Sequence, residues 1–567
     1  LLRYITGARA GFESSGKHRR STVFVGGTDM RQPSLIPEPK RRLAIGLSGN
    51  ARENPPQPRW GRKPTPFATL VLSIYRAADD RSIGEMALYL KDTRLGFAQT
   101  QELREAITYF RSLDKRVYCH LARPGNLGYY LASAADKILI PPVSRLNLIG
   151  LRAELSFYAG TMEKLGVRAD VMRIGEHKTA AEMLTRRIAS EENRAQINRL
   201  LDSLYDQFVA AIASGRGVST DSVRRVIDGG PYTSVEAMQL GLVDGLSYRD
   251  DMNDDFLETM PEVSFRRYLA DTLVNDNWPA KPVIAMVVAD GEITTDDFAG
   301  MPFNRSQQAT PAPLKKAFRR VMNDRNVKGI VLRVNSPGGL ALAADEIFHA
   351  ADKASEKRLL VVSMGNVAAS GGYQVSMAAD QLFASPATIT GSIGIFGGKV
   401  DLSELYRKID LGKELFVRGK YAGMMTTTRP FSEEQRVKYF SHMKAFYDYF
   451  VGLVAENRAL AFDSVDAMAR GKVWTGNEAL ANGLIDRQGG IKQSLDYLAD
   501  HLGLDDYAVE ISPRKRPLFI LPGQSYLAGL VSLFSGDGSA VEKVAAAVGL
   551  PDDEGMFARM PFDIAIE

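Results

Sequence analysis

The chain has a single cysteine, Cys119, in 567 residues. One thiol excludes an intrachain disulfide and a cysteine-based zinc cluster. An excess of charge of either sign is also missing. The 71 basic and 67 acidic residues leave a net charge of +4, which gives no global argument for nucleic-acid binding. No run of 18 apolar residues occurs, so no transmembrane helix is visible. Histidine is scarce, with six in all, and none stands in a recognisable catalytic context. What is present is ordinary for a globular protein: 45% hydrophobic and 24% charged residues. That composition excludes a mainly disordered, collagen-like or polytopic membrane chain. Length alone suggests roughly three to four domains.

An internal repeat sharpens that count. Ala134-Ala135-Asp136 recurs as Ala378-Ala379-Asp380, and Gly175 matches Gly419, both 244 residues apart. Ser190-Glu191-Glu192 matches Ser432-Glu433-Glu434, and YTSVEAMQLGLVDG (232–245) matches WTGNEALANGLIDR (474–487), both at 242. Four segments in one order at nearly one offset describe two copies of a domain. We expect the first copy over 66–275 and the second over 280–510. In the second, short apolar β-branched runs (282–291, 329–335, 358–364) alternate with helical patterns near 312–323 and 341–354. That alternation predicts an α/β fold with parallel pairing. Residues 431–458 read as a long amphipathic helix that starts at Ser432 and Glu434.

The ends are different. Residues 1–65 are rich in Arg, Pro, Gly and Ser, have no sustained apolar period and hold no signal-peptide core. They are expected to be a poorly structured or aberrant leader. GFESSGKH (11–18) falls short of a phosphate-binding loop, because His18 stands where a Ser or Thr hydroxyl is needed. The tail, 511–567, holds an apolar stretch (517–534) broken by Pro522, Gly523 and Gly529. It suits packing on a domain, an oligomer interface or a membrane surface.

The copies differ where chemistry is expected. Ala368-Ala369-Ser370-Gly371-Gly372-Tyr373 lies between a strand and a helix. A serine there is either a helix cap or a nucleophile beside free helix amides. The repeat puts Asn126 opposite Ser370, and Ala422 opposite Lys178. One copy therefore has the hydroxyl and the other the amine, the pattern left by a site built from both halves. Most lysines are solvated, but one buried between apolar domains would lose its charge and act as a base. Ser392, opposite Leu148, either holds such an amine or is a turn residue. The turn Ser336-Pro337-Gly338-Gly339 offers the Gly339 amide to a developing oxyanion, with the Gly371 amide as a second donor. Taken alone, that turn is a plain Pro-Gly turn. His177 adjoins Lys178 and stays open as a member of the site. The acidic run 250–255 lacks the spacing of a calcium loop.

Four motifs, RVNSPGG (333–339), SMGNVAASGGY (363–373), TGSIGIFGG (390–398) and GEHKTAAE (175–182), resemble those of the signal peptide peptidase A (protease IV) family in its long, two-domain bacterial form. The resemblance covers about 66–510. It implies tandem crotonase/Clp-type α/β domains with parallel sheets flanked by helices. It implies a Ser–Lys serine protease of cleaved signal peptides, with Ser370 as nucleophile, Lys178 as general base, Ser392 orienting the lysine and Gly339 in the oxyanion hole. It also implies peptide partners, a bowl-like homotetramer and membrane association at the periplasmic face of a bacterial inner membrane. It calls for no cofactor, metal or nucleic acid. The family's usual anchor is not visible, and 41–66 offer only RRLAIGL and a Pro-rich stretch. We therefore expect a truncated leader and a first domain without its opening strand. The competing readings are an inactive peptide-binding scaffold and a crotonase-type acyl-CoA enzyme. The latter needs catalytic carboxylates and a CoA groove, and neither is evident.

Overall fold

The computed structural model describes residues 8–13, 22–27, 39–55, 64–252, 256–272, 281–296, 307–513 and 556–559. Two parallel sheets carry it. In the first, the spatial order is Gly245–Leu246, Lys137–Ile140, Arg116–Leu121, Ile83–Arg94, Arg41–Asn50, Glu262–Ser264. In the second it is Arg487–Gln488, Gln381–Ala384, Leu360–Ala369, Val327–Ser336, Val283–Asp290, Ala508–Ser512, with Ile389–Gly391 and Val473–Thr475 added beside Leu360–Ala369. Six strands of the second sheet repeat the order of the first.

The expectation that the first domain lacks its opening strand is corrected here. Arg41–Asn50 lies between Ile83–Arg94 and Glu262–Ser264, parallel to both. The first sheet therefore begins at Arg41 rather than near 66. The strand reads poorly in sequence because it opens on two arginines. Arg42 is nevertheless buried, paired with Glu85 at 3.0 Å. Ahead of it, Ala8–Glu13 and Thr22–Gly27 pair antiparallel. The apolar stretch 517–534 lies outside the described residues.

The repeated residues hold the scaffold in the same way twice. Asp136 accepts the Val117 N–H at 2.8 Å, and Asp380 accepts the Leu360 N–H at 2.9 Å. Asp244 accepts from Ile138 and Asp486 from Leu382, each at 2.8 Å. The Tyr129 and Tyr373 hydroxyls donate to the Leu242 and Leu484 carbonyls at 2.7 Å. Ser190 and Ser432 cap the long helices Glu191–Arg216 and Glu433–Asn457 by accepting an N–H from the first turn.

The copies are fused through the second sheet. Alternate side chains of Val283–Asp290 point to opposite faces. Ala285, Val287 and Ala289 join the second copy's own core, whereas Ile284, Met286 and Val288 join the core of the first. Burial on both faces explains the continuous apolar run of this strand.

A third sheet crosses between the copies. Its order is Gln308–Ala309, Glu292–Ile293, Gly338–Leu340, Met556–Arg559, Ile395–Asp401, Arg168–Ile174. The last strand belongs to the first copy and pairs antiparallel with Ile395–Asp401 of the second, Ile174 opposite Ile395. Among the described residues, no helix is long and apolar enough to cross a membrane.

Candidate active site

Ser370 follows Leu360–Ala369 and precedes the helix Gly371–Ser376. Its backbone is held at φ 55°, ψ −117°, by its N–H to the Gly391 carbonyl at 2.8 Å and by the Gln374 N–H to its own carbonyl at 2.9 Å. A non-glycine residue there stores strain of about 1–3 kcal/mol. The side chain does not cap the helix, so the capping reading of Ser370 is not what the structure contains. Gly372 keeps the helix start close to the Ser336-Pro-Gly-Gly turn, since a Cβ on it would sit 2.6 Å from the Ser336 carbonyl oxygen.

Lys178 arrives from the other copy. The strand Arg168–Ile174 carries the chain across the interface, and Gly175, at φ 97°, turns it inward against the Arg470 carbonyl. The His177 N–H donates to that carbonyl at 3.0 Å. Gly471 leaves room for the Lys178 backbone, with which any Cβ would collide. Beyond the lysine, Glu182 ties the loop down. It accepts from Arg173 at 2.9 Å, the Ser190 N–H at 3.1 Å and Asn193 at 3.2 Å.

The two halves meet. Lys178 Nζ lies 2.7 Å from Ser370 Oγ, 3.0 Å from Ser392 Oγ and 2.9 Å from the Ser392 carbonyl oxygen. Lys178, Ser370 and Ser392 have no exposed surface. Ser392, at φ 51°, is fixed by its N–H to the Lys472 carbonyl at 2.7 Å. No carboxylate stands among these partners of the amine. Burial alone drives the Lys178 pKa well below the ordinary lysine range. A neutral amine has two N–H groups and one lone pair. Were both N–H groups directed to the two Ser392 oxygens, the lone pair would face the Ser370 hydroxyl.

Of the two glycine positions, Gly371 follows Ser370 in the chain, and Gly339 belongs to the turn whose Ser336 carbonyl packs on Gly372. Gly371 opens its helix, so its amide has no intrahelical partner. Gly339 lies on the strand Gly338–Leu340, where a Cβ would collide with the Ile293 carbonyl. His177 is not brought onto Lys178 Nζ: its Nε2 faces Glu176 at 3.7 Å, and its Nδ1 has no partner. Burial lowers its pKa. Among the described residues, no group of three or more His, Cys, Asp or Glu could hold a metal ion.

Sequence reading missed two features. One is the clamp Arg470-Gly471-Lys472, signalled only by its glycine. The other is a buried cluster that joins the copies. Arg333 pairs with Glu53 at 2.9 Å and Glu102 at 2.6 Å and also donates to Ser363 Oγ at 2.9 Å. Glu102 further accepts the Ile491 N–H at 2.8 Å.

The model of peptidase family S49 matches residues 110–259 and 351–505, once in each copy. A protein of Arabidopsis thaliana named serine protease SPPA, chloroplastic, is 30% identical over 509 residues, covering 86% of this chain and 73% of that one. A Salmonella typhi protein named protease 4 is 32% identical over 437 residues, covering 74% and 69%. The Haemophilus influenzae protein of the same name is 28% identical over 460 residues, covering 75% and 71%. With both copies matched, a tandem α/β fold and relatives similar over most of their length, the chain belongs to peptidase family S49 and is a serine protease.

Proposed function

We propose that the protein hydrolyses extended, apolar peptides, cleaved signal peptides among them, through a Ser370–Lys178 dyad and an acyl-enzyme. The observation that carries this reading is the 2.7 Å approach of Lys178 Nζ to Ser370 Oγ in a site that excludes water from both. Neutral Lys178 takes the hydroxyl proton as Ser370 Oγ attacks the scissile carbonyl. Ser392 holds the amine by its Oγ and carbonyl oxygen. The Gly339 and Gly371 amides receive the oxyanion. The protonated amine of Lys178 then returns its proton to the leaving nitrogen, and water, deprotonated by the same lysine, releases the acyl group.

Assembly follows from the repeat. Within the chain, Arg168–Ile174 of one copy pairs with Ile395–Asp401 of the other. The matching segments, 412–418 in the second copy and 151–157 in the first, form no strand, and Phe416 is 83% exposed. Copies of the chain joined head to tail through these two segments would repeat the internal pairing. That supports a head-to-tail homo-oligomer; the expected count of four rests on the motif resemblance, and light scattering measures it. Association with the periplasmic face of a membrane is part of the same reading and rests on the motif resemblance.

The test is cleavage of an apolar fluorogenic peptide by the wild type, Ser370→Ala and Lys178→Ala. Each variant loses at least about 10³-fold in kcat, as for removal of one member of a catalytic unit. Undiminished cleavage in either variant overturns the dyad. Absence of cleavage by an assembled wild type favours the scaffold reading.

A further inference from the structure

The third sheet holds a strand that the peptidase reading does not use. Met556–Arg559, near the C-terminal end of the sequence, lies between Gly338–Leu340 and Ile395–Asp401 and is antiparallel to both. Its register puts Arg559, Ala558 and Phe557 opposite Gly338, Gly339 and Leu340, and Phe557 and Met556 opposite Phe396 and Gly397.

The two flanking strands are the ones that leave the site. Gly338–Leu340 continues the Ser336-Pro-Gly-Gly turn, and Ile395–Asp401 begins three positions after Ser392. They do not pair with each other; each pairs with Met556–Arg559. Strands in a sheet lie about 4.8 Å apart, so the flanking pair encloses a slot one extended chain wide. Adding a strand between two open edges is a standard mode of peptide recognition, in which backbone hydrogen bonds supply the affinity. Three glycines, Gly338, Gly339 and Gly397, stand opposite residues of this strand.

We propose that Met556–Arg559 is a tethered pseudosubstrate: it fills the groove in which a peptide substrate binds by strand addition, and a substrate must displace it. The proposal rests on the reading of Gly339 as an oxyanion donor for its assignment of register. Ala558, opposite Gly339, then marks the residue whose carbonyl a bound peptide presents to Ser370. A segment held in the same chain competes at a high effective concentration, so the full chain binds peptides more weakly than its groove allows.

The test uses the full chain with Ser370→Ala, so that binding is read without cleavage. Proline at 558 removes a ladder N–H and fixes φ in the middle of the strand. Ser370→Ala/Ala558→Pro is expected to bind a fluorescein-labelled apolar decapeptide about threefold or more tighter than Ser370→Ala, measured by anisotropy. A synthetic peptide of residues 553–562 is expected to compete for the same groove. Hydrogen exchange on the Ser370→Ala chain keeps the inference testable if the proline variant does not fold. Amides 556–559 are protected without peptide and lose protection when it saturates. Equal affinity in both chains, or protection that persists with peptide bound, overturns the inference. Cleavage that survives in Ser370→Ala overturns the dyad instead and leaves the exchange measurement to decide the tail.

Discussion

The two copies share a scaffold and divide the chemistry. The strand-capping aspartates, the core tyrosines and the serine helix caps are the same in both and make the same bonds. The contrast is concentrated at three positions. Where the second copy has Ser370, the first has Asn126. Its side chain donates to the Gly150 carbonyl at 2.7 Å and accepts the Ile149 N–H at 3.0 Å. Gly150 is the repeat partner of Gly394, which in the second copy leaves room for the Lys178 side chain: a Cβ there would lie 3.3 Å from Cδ, inside van der Waals contact. The first copy thus uses an amide to close a loop that the second leaves open for an amine. The strain follows the same division. Asn126 is the first residue of a helix capped by Gly125 at φ −125°, whereas Ser370 sits at φ 55°. The packing is the same in both halves, whereas the strained serine stands in one and the buried amine that meets it comes from the other.

The largest expected effects come from making the halves alike. Ser370→Gly relieves the positive φ at the cost of the nucleophile. Activity falls at least about 10³-fold, while stability against denaturant rises by up to about 1–2 kcal/mol. An equally stable variant would show that the strain is absorbed by the surrounding bonds.

Lys178→Met makes the first copy as apolar as the second at this point. Activity is lost, and stability changes with a definite sign. In the unfolded chain the amine stays protonated up to about pH 10.4. In the folded chain its pKa is far lower. Between those two values the unfolded state binds more protons, so stability rises with pH, and the buried amine destabilises the protein most at the acid end of the window. Lys178→Met therefore melts higher than the wild type at neutral pH, and the gap closes as pH approaches that of a free lysine. Wild-type activity falls as pH drops through the lowered value, because the base becomes charged. Melting curves that stay parallel across that range would contradict the depressed pKa.

A smaller change is expected at Ser392, whose partner Leu148 carries no hydroxyl. Ser392→Ala removes one of the two Ser392 acceptors around Lys178 Nζ and keeps the carbonyl oxygen. One such bond is worth about 1–1.5 kcal/mol, or about tenfold in rate. The accompanying sign of positioning is a shifted acid limb of the pH–rate profile, since the amine loses a hydrogen-bond acceptor. A rate loss with an unshifted limb would mean that Ser392 only shapes the turn.

The legibility of these features in sequence follows from their range. Ser370 and Lys178 are 192 positions apart, yet the repeat aligns each with a chemically empty partner and so exposes both. The parallel strands are legible because buried strands are continuous apolar runs. Arg41–Asn50 escapes that rule because Arg42 is buried by pairing with Glu85, and a charge is read as exposure until its partner is known. Met556–Arg559 has too few residues for any periodicity, and its place depends wholly on edges more than 150 positions earlier. Arg333 lies 280 positions from Glu53 and 231 from Glu102. No local pattern joins the three.

That cluster gives the smallest effect and the finest test of how the halves are joined. One guanidinium faces two carboxylates, all three buried. If both acids were ionised, the cluster would hold one uncompensated negative charge in a low-dielectric setting. Protonating Glu102 removes that charge. Burial, reinforced by the Glu53 charge, pushes Glu102 up to about 7, although Arg333 and the Ile491 N–H both oppose the shift. In the unfolded chain the same carboxyl titrates near about 4.3. Between those values the folded protein binds the extra proton, so this group's contribution to stability is fully present below the unfolded value and is lost as pH rises through the folded one. Arg333 and the Ile491 N–H meet different oxygens of Glu102, so Glu102→Gln keeps an acceptor oxygen for one of them, and its amide does not titrate. The variant should therefore lose less melting temperature than the wild type between pH 5 and about 7.5. The difference between the two curves isolates this site from every other acid in the chain. Curves that fall together would mean that Glu102 stays ionised and that Arg333 alone balances both carboxylates across the interface.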